Sequence, residues 1–338
     1  MSQLVVRNLV KHFPIHSGIF QKTTGKVHAV SGVSLTIAPG ETLGLVGESG
    51  CGKSTLARLI VRLLTPDAGT IMFDGRIITH DSQRSLQSLR RDLQMIFQDP
   101  FASLNPRMTV GAILAEPFRI HRVGTRRDRP GRVAALLDLV GLAAEAMHRY
   151  PHEFSGGERQ RIGIARAIAL RPKLVIADEP VSALDVSVQG EILNLLLDLQ
   201  EQLGLAYLLI AHDIKVVAQI SHRIAVMYLG RIVETLPAAE LLRACHPYTH
   251  ALLASVPEPN PAQARAISPI GGDVPSPIAP PRGCPFHPRC PRRQLPLCAE
   301  TMPAMTAHAG DRHAACHFPV DSHTAHDERS PSLPHARS

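Results

Sequence analysis

The chain has 338 residues, of which 44% are hydrophobic, enough to build one large domain and an additional segment. Its formal charge of +7 suits an anionic partner, but the basic residues are scattered or form short clusters such as TRRDRPGR, and no Trp is present to stack on bases. We therefore expect no nucleic-acid partner. Because no secretory leader opens the sequence and no run of about 18 apolar residues occurs, we expect a cytosolic chain without a membrane span.

Apolar runs of strand type recur along the chain, and helical stretches separate several of them. The strand-type runs are TLGLVG, LQMIFQD, KLVIADE, AYLLIAHD and RIAVMYL, and the clearest helical stretches are ARLIVRLL and EILNLLLDLQEQLG, which ends at Gly204. Strands that alternate with helices predict an α/β fold with a mostly parallel sheet covered on both faces. Hairpin turns at Asp74-Gly75 and around Gly230 predict antiparallel additions to it.

The stretch GESGCGKS, from Gly47 to Ser54, follows the first of these apolar runs and opens a helical one. It fits the pattern G-x-x-x-x-G-K-[ST], whose backbone N–H groups surround phosphate oxygens at a helix N-terminus. In this pattern Lys53 reaches the β- and γ-phosphates and the Ser54 hydroxyl ligates Mg²⁺. Cys51 lies inside the loop, where a small side chain suits a tight turn better than it suits a redox role.

A second acidic element follows the strand-type run KLVIADE. Asp178 is placed to hold the metal, and Glu179, one residue further, can act as general base on the attacking water. Ligands of parallel sheets collect at the carboxyl ends of the strands, which favours this functional interpretation. Between Gln98 and Ser155 the pattern changes to helix and loop punctuated by prolines, and this predicts an inserted helical lobe at about 99–165.

The stretch FSGGERQR, which begins at Phe154, combines a glycine pair with Ser155 at the start of a helical run. Such a helix start is a second anion site, although the chain already has one at Gly47. Two phosphate sites with a single nucleotide cassette make sense if the second one serves the ATP of another molecule.

The order of these motifs closely resembles the ATPase subunits of ABC transporters, over residues 1 to about 256. The resemblance implies an ABC ATP-binding domain of P-loop NTPase fold at 1–256, in which the signature motif of one subunit closes on the nucleotide held by its partner. It assigns nucleotide binding to Phe13, Gly47, Glu48, Ser49, Gly50, Cys51, Gly52, Lys53, Ser54, Thr55, Gln98, Ser155, Gly156, Gly157 and Asp178.

The same resemblance implies the roles of the remaining site residues. Catalysis is assigned to Glu179, His212, Lys53 and Gln98, with His212 as the switch histidine that contacts the γ-phosphate. Mg²⁺ is assigned to Ser54, Gln98 and Asp178, and the loop SALD to contact with the partner subunit. The signature departs from the family, since Phe154 replaces the commoner leucine and Glu158 the commoner glutamine. We expect Glu158 to face outward, because the backbone and Ser155 perform the binding.

Three stretches narrow the resemblance to the peptide-importer group: QDPFASLNPRMTVGAILAEPF, HPYTHALLASVP and the cysteine-bearing tail. This implies an ATP-hydrolysing subunit for di- or oligopeptide uptake, peripheral on the cytoplasmic face of the inner membrane. Its implied partners are a second ABC ATPase subunit, homo- or heteromeric, two permeases and an external substrate-binding protein. Importers for nickel, glutathione or oligosaccharide are alternatives, as is a soluble ABC ATPase outside transport.

The segment 257–338 is predicted as a proline-rich linker and a Cys-cluster region, since more than half of the 28 prolines follow Val256. It carries Cys284, Cys290, Cys298 and Cys316 without a C-x-x-C pair, so the spacing leaves zinc, with help from nearby histidines, or free thiols as alternatives. The resemblance implies a [4Fe-4S] cluster, whose ligand count four thiolates satisfy. We expect this centre to fold the tail and not to serve hydrolysis, since every predicted phosphate-handling residue precedes Ala218.

Overall fold

The computed structural model describes residues 3–17, 22–82, 84–99, 103–255 and 271–320. The strands are β1 Leu4–Ser17, β2 Lys22–Ile37, β3 Thr42–Val46, β4 Ala68–Phe73, β5 Arg76–Ile77, β6 Leu93–Ile96, β7 Leu174–Asp178, β8 Ala206–Ala211, β9 Arg223–Tyr228, β10 Arg231–Pro237, β11 Thr306–His308 and β12 Arg312–Ala314. The α-helices are α1 Lys53–Ile60, α2 Leu86–Asp92, α3 Val110–Ile120, α4 Arg129–Leu139, α5 Gly156–Ile168, α6 Val186–Leu203, α7 Ile214–Ile220, α8 Pro247–Ser255 and α9 Leu297–Glu300.

The main sheet has eight strands in the order β11-β12-β10-β9-β3-β8-β7-β6, and the five strands from β9 to β6 are parallel. All five strand-type runs identified in the sequence form strands of this parallel part. Along β8, Leu208 and Ile210 pack into one hydrophobic cluster while Tyr207 and Leu209 pack into the other. Successive side chains point to opposite faces of a strand, so both faces of the sheet are covered and the predicted α/β architecture is confirmed.

An antiparallel sheet of four strands, in the order β2-β1-β4-β5, covers one face of the main sheet together with α1. The predicted turn at Asp74-Gly75 joins β4 to β5, and the turn at Gly230 joins β9 to β10. The long strands β1 and β2 do not follow from the sequence analysis. Register shifts interrupt their pairing, so the apolar alternation that marks a strand is broken within each of them.

Helices α3, α4 and α5 lie in or overlap the interval predicted for the helical lobe, and α5 continues to Ile168. The hydroxyl oxygen of Thr109 accepts a hydrogen bond from the Ala112 N–H and caps the start of α3. Residues 100–102, inside this interval, lie outside the described part of the chain. The cluster formed by α5, α6 and the lobe covers the second face of the main sheet.

The C-terminal segment 271–320 joins the main sheet through β12, whose Ala314 pairs with Glu234 of β10. Three hydrogen bonds join β10 to α8 and the residues just before it: the Glu234 carboxylate accepts them from the Cys245 and His246 N–H groups and from the Thr249 hydroxyl. The predicted boundary between residues 256 and 257 falls in 256–270, outside the described residues. In the described ranges, no helix combines the length and the apolar character that crossing a membrane requires.

Candidate nucleotide site

The phosphate loop runs from the end of β3 to the start of α1 and has no room for side chains at two of its glycines. A Cβ at Gly47 would clash with the Met227 carbonyl oxygen, and one at Gly52 with that of Ala29. Gly52 also has φ +107°, in a region that other residues rarely adopt. The loop therefore passes close to the backbone at Ala29 and Met227. It leads directly into the N-terminus of α1, where backbone N–H groups favour an anion.

Lys53 is buried at the start of α1, and its ammonium group lies inside the loop. Its Nζ donates hydrogen bonds to the carbonyl oxygens of Gly47, at 2.7 Å, and of Glu48, at 3.1 Å. Next to it, Ser54 Oγ donates to Asp178 Oδ1 at 3.0 Å. These oxygens are of the type that Mg²⁺ prefers, so Ser54 and Asp178 are placed to hold the ion. Burial raises the pKa of Asp178, and the Ser54 hydrogen bond opposes this change.

Glu179 follows the last residue of β7 and contacts both Gln98 and His212. Gln98 Nε2 donates to Glu179 Oε2 at 3.0 Å, and His212 Nδ1 lies 3.9 Å from the same oxygen. Glu179 has φ +48° although it is not glycine, and its N–H donates to the Ile210 carbonyl at the end of β8. A non-glycine residue in this region costs on the order of 1–3 kcal/mol and is found mostly at functional sites. The backbone thus turns the carboxylate toward the end of the sheet.

A cavity of about 310 Å³ lies against the phosphate loop. It is lined by Phe13, Val27, Ala29, Ser49, Gly50, Gly52, Lys53, Ser54, Thr55, Gln98, Glu179 and Pro277. Most of the predicted nucleotide-binding residues therefore surround one space, with Phe13 beside the phosphate loop. Gly47, Glu48 and Cys51 complete the loop behind it, while Asp178 lies under Ser54 and His212 beside Glu179.

The predicted signature residues Ser155, Gly156 and Gly157 do not line this cavity in the described part of the chain. Ser155 caps α5 by accepting the Glu158 N–H at 3.3 Å. In return, the Glu158 carboxylate accepts the N–H and the hydroxyl of Ser155, both at 2.8 Å, and these bonds lower the pKa of Glu158. The Glu158 carboxylate therefore folds back onto Ser155 in a capping box, and its predicted orientation away from the partner's nucleotide stays a prediction.

The C-terminal segment also reaches the phosphate loop, which the sequence analysis did not anticipate. Arg289 Nη1 lies 2.7 Å from Glu48 Oε2, and Pro277 lines the cavity. The segment therefore contributes to the nucleotide site, whereas the expectation that its metal centre does not serve hydrolysis stays a prediction. No motif signals the contact, because Glu48 and Arg289 are 241 positions apart in the sequence.

The four tail cysteines lie within electrostatic reach of one another. Burial raises the pKa of Cys284 to about 11 and that of Cys316 to about 12, and neighbouring thiols among Cys284, Cys290 and Cys298 act in the same direction. Across the described ranges, however, no group of three or more His, Cys, Asp or Glu side chains is close enough to hold a metal ion. The predicted [4Fe-4S] or zinc centre is not supported by this geometry.

The fold and the site together define a nucleotide-binding ATPase of the cassette type. A family model described as "ABC transporter" matches residues 30–182, and one described as "Oligopeptide/dipeptide transporter, C-terminal region" matches residues 233–298. The chain belongs to the ATP-binding proteins of ABC transporters, and it is an ATPase.

Two relatives match nearly the whole chain. The probable peptide ABC transporter ATP-binding protein y4tS of Sinorhizobium fredii is 51% identical over 324 residues, which cover 96% of this chain and 92% of y4tS. The oligopeptide transport ATP-binding protein AppF of Bacillus subtilis is 51% identical over 319 residues, or 93% of this chain and 97% of AppF. The glutathione import ATP-binding protein GsiA of Escherichia coli is 57% identical over 263 residues, which are 78% of this chain but 42% of GsiA.

Solved structures confirm the fold. The dimeric ATP-binding cassette MJ0796, in a post-hydrolysis state with ADP and Pi, superposes with a TM-score of 0.62 at 28% identity, covering 70% of this chain and 98% of that one. CbiO1 of Clostridium perfringens, part of the ABC transporter complex CbiONQ, gives a TM-score of 0.60 at 28% identity, covering 71% of this chain and 90% of that one.

Proposed function

We propose that the chain is the ATP-hydrolysing subunit of an ABC importer for di- or oligopeptides, bound peripherally at the cytoplasmic face of the inner membrane. The observation that carries the proposal is the match of residues 233–298 to the C-terminal region of oligopeptide and dipeptide transporters. The names of y4tS and AppF, which match along nearly their whole length, favour the same substrate class. Glutathione, itself a small peptide, is the alternative substrate that the similarity to GsiA favours.

Hydrolysis depends on positioning and charge neutralisation more than on covalent chemistry by the protein. The Lys53 ammonium group neutralises phosphate charge, and the Glu179 carboxylate accepts the proton of the attacking water. Gln98 orients that carboxylate through the 3.0 Å hydrogen bond, and His212, which lies beside Glu179, would contact the terminal phosphate. Ser54, Asp178 and Gln98 would hold Mg²⁺, which supplies further neutralisation of the phosphates when bound.

The position of the signature motif favours a paired ATPase. Because Ser155 to Gly157 lie outside the cavity of their own chain, they are available to the nucleotide of a second ATPase subunit, identical or different. Each nucleotide is then enclosed between the phosphate loop of one subunit and the helix start of α5 in the other. Neither site is complete in a single chain.

A groove of about 390 Å³ beside Gln98 suits a membrane partner. It lies between the end of β6, α3 and α5, and Leu63, Phe97 and Ile120 leave apolar surface exposed there. We assign it to a short apolar segment of a permease, because Phe97 adjoins Gln98 and Gln98 contacts Glu179. Movement of the permease segment would reach the Glu179 carboxylate through the side chain of Gln98 alone. Two permeases and an external substrate-binding protein complete the proposed importer.

The experiment that tests transport is uptake by vesicles that contain the chain and its co-purified membrane subunits. We expect ATP-dependent accumulation of labelled di- or oligopeptides and none with Lys53→Ala. If only glutathione accumulated, glutathione and not di- or oligopeptides would be the transported substrate. If the chain failed to co-purify with membrane subunits in detergent, the proposal that it serves transport would be wrong.

We also propose that Cys284, Cys290, Cys298 and Cys316 bind one metal centre, a [4Fe-4S] cluster in preference to zinc. Their number equals the ligand count of the cluster, and each of the other three thiols influences the pKa of Cys316. Since thiolates are the ligands, binding must overcome the raised thiol pKa values and draw the four side chains together.

Metal analysis after anaerobic purification tests this assignment. We expect about four irons per chain, with loss of iron in Cys290→Ser and retention in Cys245→Ser, a buried cysteine outside the group. If zinc were found without iron, the centre would be a zinc site and not an iron–sulfur cluster. If neither metal were found, the proposal of a metal centre would be wrong.

A further inference from the structure

Glu48, the second residue of the phosphate loop, is held from three directions. Its N–H donates to Tyr248 Oη at 2.9 Å, and its carbonyl oxygen accepts Lys53 Nζ at 3.1 Å. Its carboxylate accepts two hydrogen bonds from Arg289, from Nη1 at 2.7 Å and from Nη2 at 3.0 Å. One residue therefore connects the phosphate-binding lysine to two residues from the C-terminal third of the chain.

The Arg289 side chain leaves little room for alternative positions. It is 5% exposed, and its Nη1 lies 3.4 Å from Tyr228 Oη at the end of β9. A guanidinium that bonds a carboxylate through two parallel hydrogen bonds fixes orientation as well as distance. The ion pair with Glu48 is consequently a rigid link and not a solvated surface pair, which contributes little.

Packing anchors both of the C-terminal residues that hold Glu48. Phe286, which is 1% exposed, contacts the rings of Tyr228 at 5.4 Å and of Tyr248 at 5.3 Å between centroids. A short 3-10 turn, His287–Arg289, follows Phe286 and ends with Arg289, immediately before Cys290. The turn that bears Arg289 is thus attached to the hydrophobic core by an aromatic side chain.

The same C-terminal segment reaches the opposite side of the nucleotide cavity. The His28 N–H donates to the Pro277 carbonyl at 2.9 Å, and the neighbours of His28, Val27 and Ala29, line the cavity together with Pro277. The segment therefore contacts the site at two places, which are the back of the phosphate loop and the wall beside Phe13.

We propose that Arg289 is a positioning residue for ATP binding, which acts through Glu48 on the phosphate loop and Lys53. The loop backbone must hold its N–H groups toward the phosphates, and the Arg289 pair with the Tyr248 hydrogen bond fixes Glu48, whose carbonyl oxygen accepts the Lys53 ammonium group. The cysteine-bearing segment in this way supports the half of the ATP site that the phosphate loop of the same chain provides. The proposal requires the ATPase activity of the family and is independent of the transported substrate and of any metal.

The test is equilibrium binding of a fluorescent ATP analogue with Mg²⁺ to the full-length chain, with thermal unfolding of the same variants measured without nucleotide. For Arg289→Ala we expect the dissociation constant to rise about tenfold, by analogy with metal sites, where loss of the partner that orients a ligand weakens binding about 10- to 100-fold. Arg289→Lys should restore part of the affinity, because lysine keeps the charge but cannot form two parallel bonds. Arg293→Ala removes a guanidinium of the same segment that bonds Pro288 and not the loop, and it should bind as wild type.

A double-mutant cycle separates positioning from general stability. If Arg289 acts through Glu48, then Glu48→Ala with Arg289→Ala should bind ATP no more weakly than Glu48→Ala alone. If the two substitutions weakened ATP binding independently and additively, the proposal would be overturned. It would also be overturned if Arg289→Ala lowered the unfolding temperature but left the dissociation constant within about twofold of wild type. Should Arg289→Ala fail to fold, Glu48→Gln, which keeps the side-chain shape and removes its charge, must weaken binding by itself, and unchanged binding would refute the link.

Discussion

Replacement of Glu179 by glutamine is the sharpest probe of the hydrolytic chemistry. Both side chains have the same shape, and both would bear the left-handed backbone at this position, so the strain is equal in the two proteins. The glutamine carbonyl oxygen can still accept the hydrogen bond that Gln98 donates at 3.0 Å. Folding and ATP binding should consequently change little, by no more than the roughly 1 kcal/mol that one hydrogen bond contributes.

Turnover should respond very differently, because the amide cannot accept a proton from water. Loss of a positioned general base slows a reaction about 10²- to 10⁴-fold. This corresponds to an increase of about 3–5 kcal/mol in the activation free energy, several times the expected change in binding. The variant should therefore accumulate as a closed pair with ATP bound.

The assay is phosphate release by the assembled transporter at saturating ATP and Mg²⁺, combined with measurement of the nucleotide retained after desalting. Glu191→Gln serves as the matched control. The Glu191 carboxylate, on α6, pairs with Arg161 at 3.0 Å and does not line the cavity. Turnover in Glu179→Gln within about tenfold of wild type would refute the assignment of Glu179 as general base.

Four further outcomes are expected. Gly52→Ala should abolish ATP binding, because its Cβ would clash with the Ala29 carbonyl; wild-type affinity by calorimetry would contradict this. Glu158→Gln should keep the capping box but remove a negative charge beside Ser155, and so lower the KM for ATP of the paired complex about two- to fivefold; a raised KM would argue against it. Burial lowers the pKa of His246 from 6.5 to about 3, so the unfolded chain binds a proton at this histidine before the folded chain does as the pH falls. The free energy of unfolding should therefore decrease below about pH 6.5, by at most about 1.4 kcal/mol per pH unit. Urea titrations at about pH 7 and about pH 5 should show this decrease, and it should be smaller in His246→Asn. The isolated chain should hydrolyse ATP only feebly, and full activity in a sample proven monomeric by light scattering would exclude a shared site.

The parts of the site that depend on short-range spacing could be predicted from the sequence. The glycines, Lys53 and Ser54 occupy fixed offsets at a strand-to-helix turn, and the chemistry of phosphate binding dictates those offsets. Asp178 and Glu179 follow because parallel strands bring their carboxyl ends to one edge. Periodicity was equally sufficient for β3 and for the strands from β6 to β9, which are short, apolar and bounded by turns.

Other features depend on tertiary contacts that no local pattern encodes. The pairing of β1 with β2 shifts register between Val6 and Leu9 and again between Lys11 and His12, which hides a 14-residue strand from any test of alternation. The contact of Arg289 with Glu48 arises because Phe286 packs on Tyr228, and composition alone places this arginine in a proline-rich tail. The capping box of Glu158, by contrast, follows from its place three residues after Ser155, which is a local signal.

The pairing of β12 with β10 has a practical consequence for any shortened form of the protein. The Ala315 N–H donates to the Val233 carbonyl at 2.8 Å, so the outer edge of β10 is covered by residues from the far end of the chain. Removal of everything after α8 would leave a strand with buried apolar residues and unpaired backbone groups, the type of edge that recruits a second molecule. A cassette cut there should aggregate even with its phosphate loop intact, whereas one that ends at Val320, whose N–H bonds the Cys245 carbonyl at 2.7 Å, keeps the edge closed.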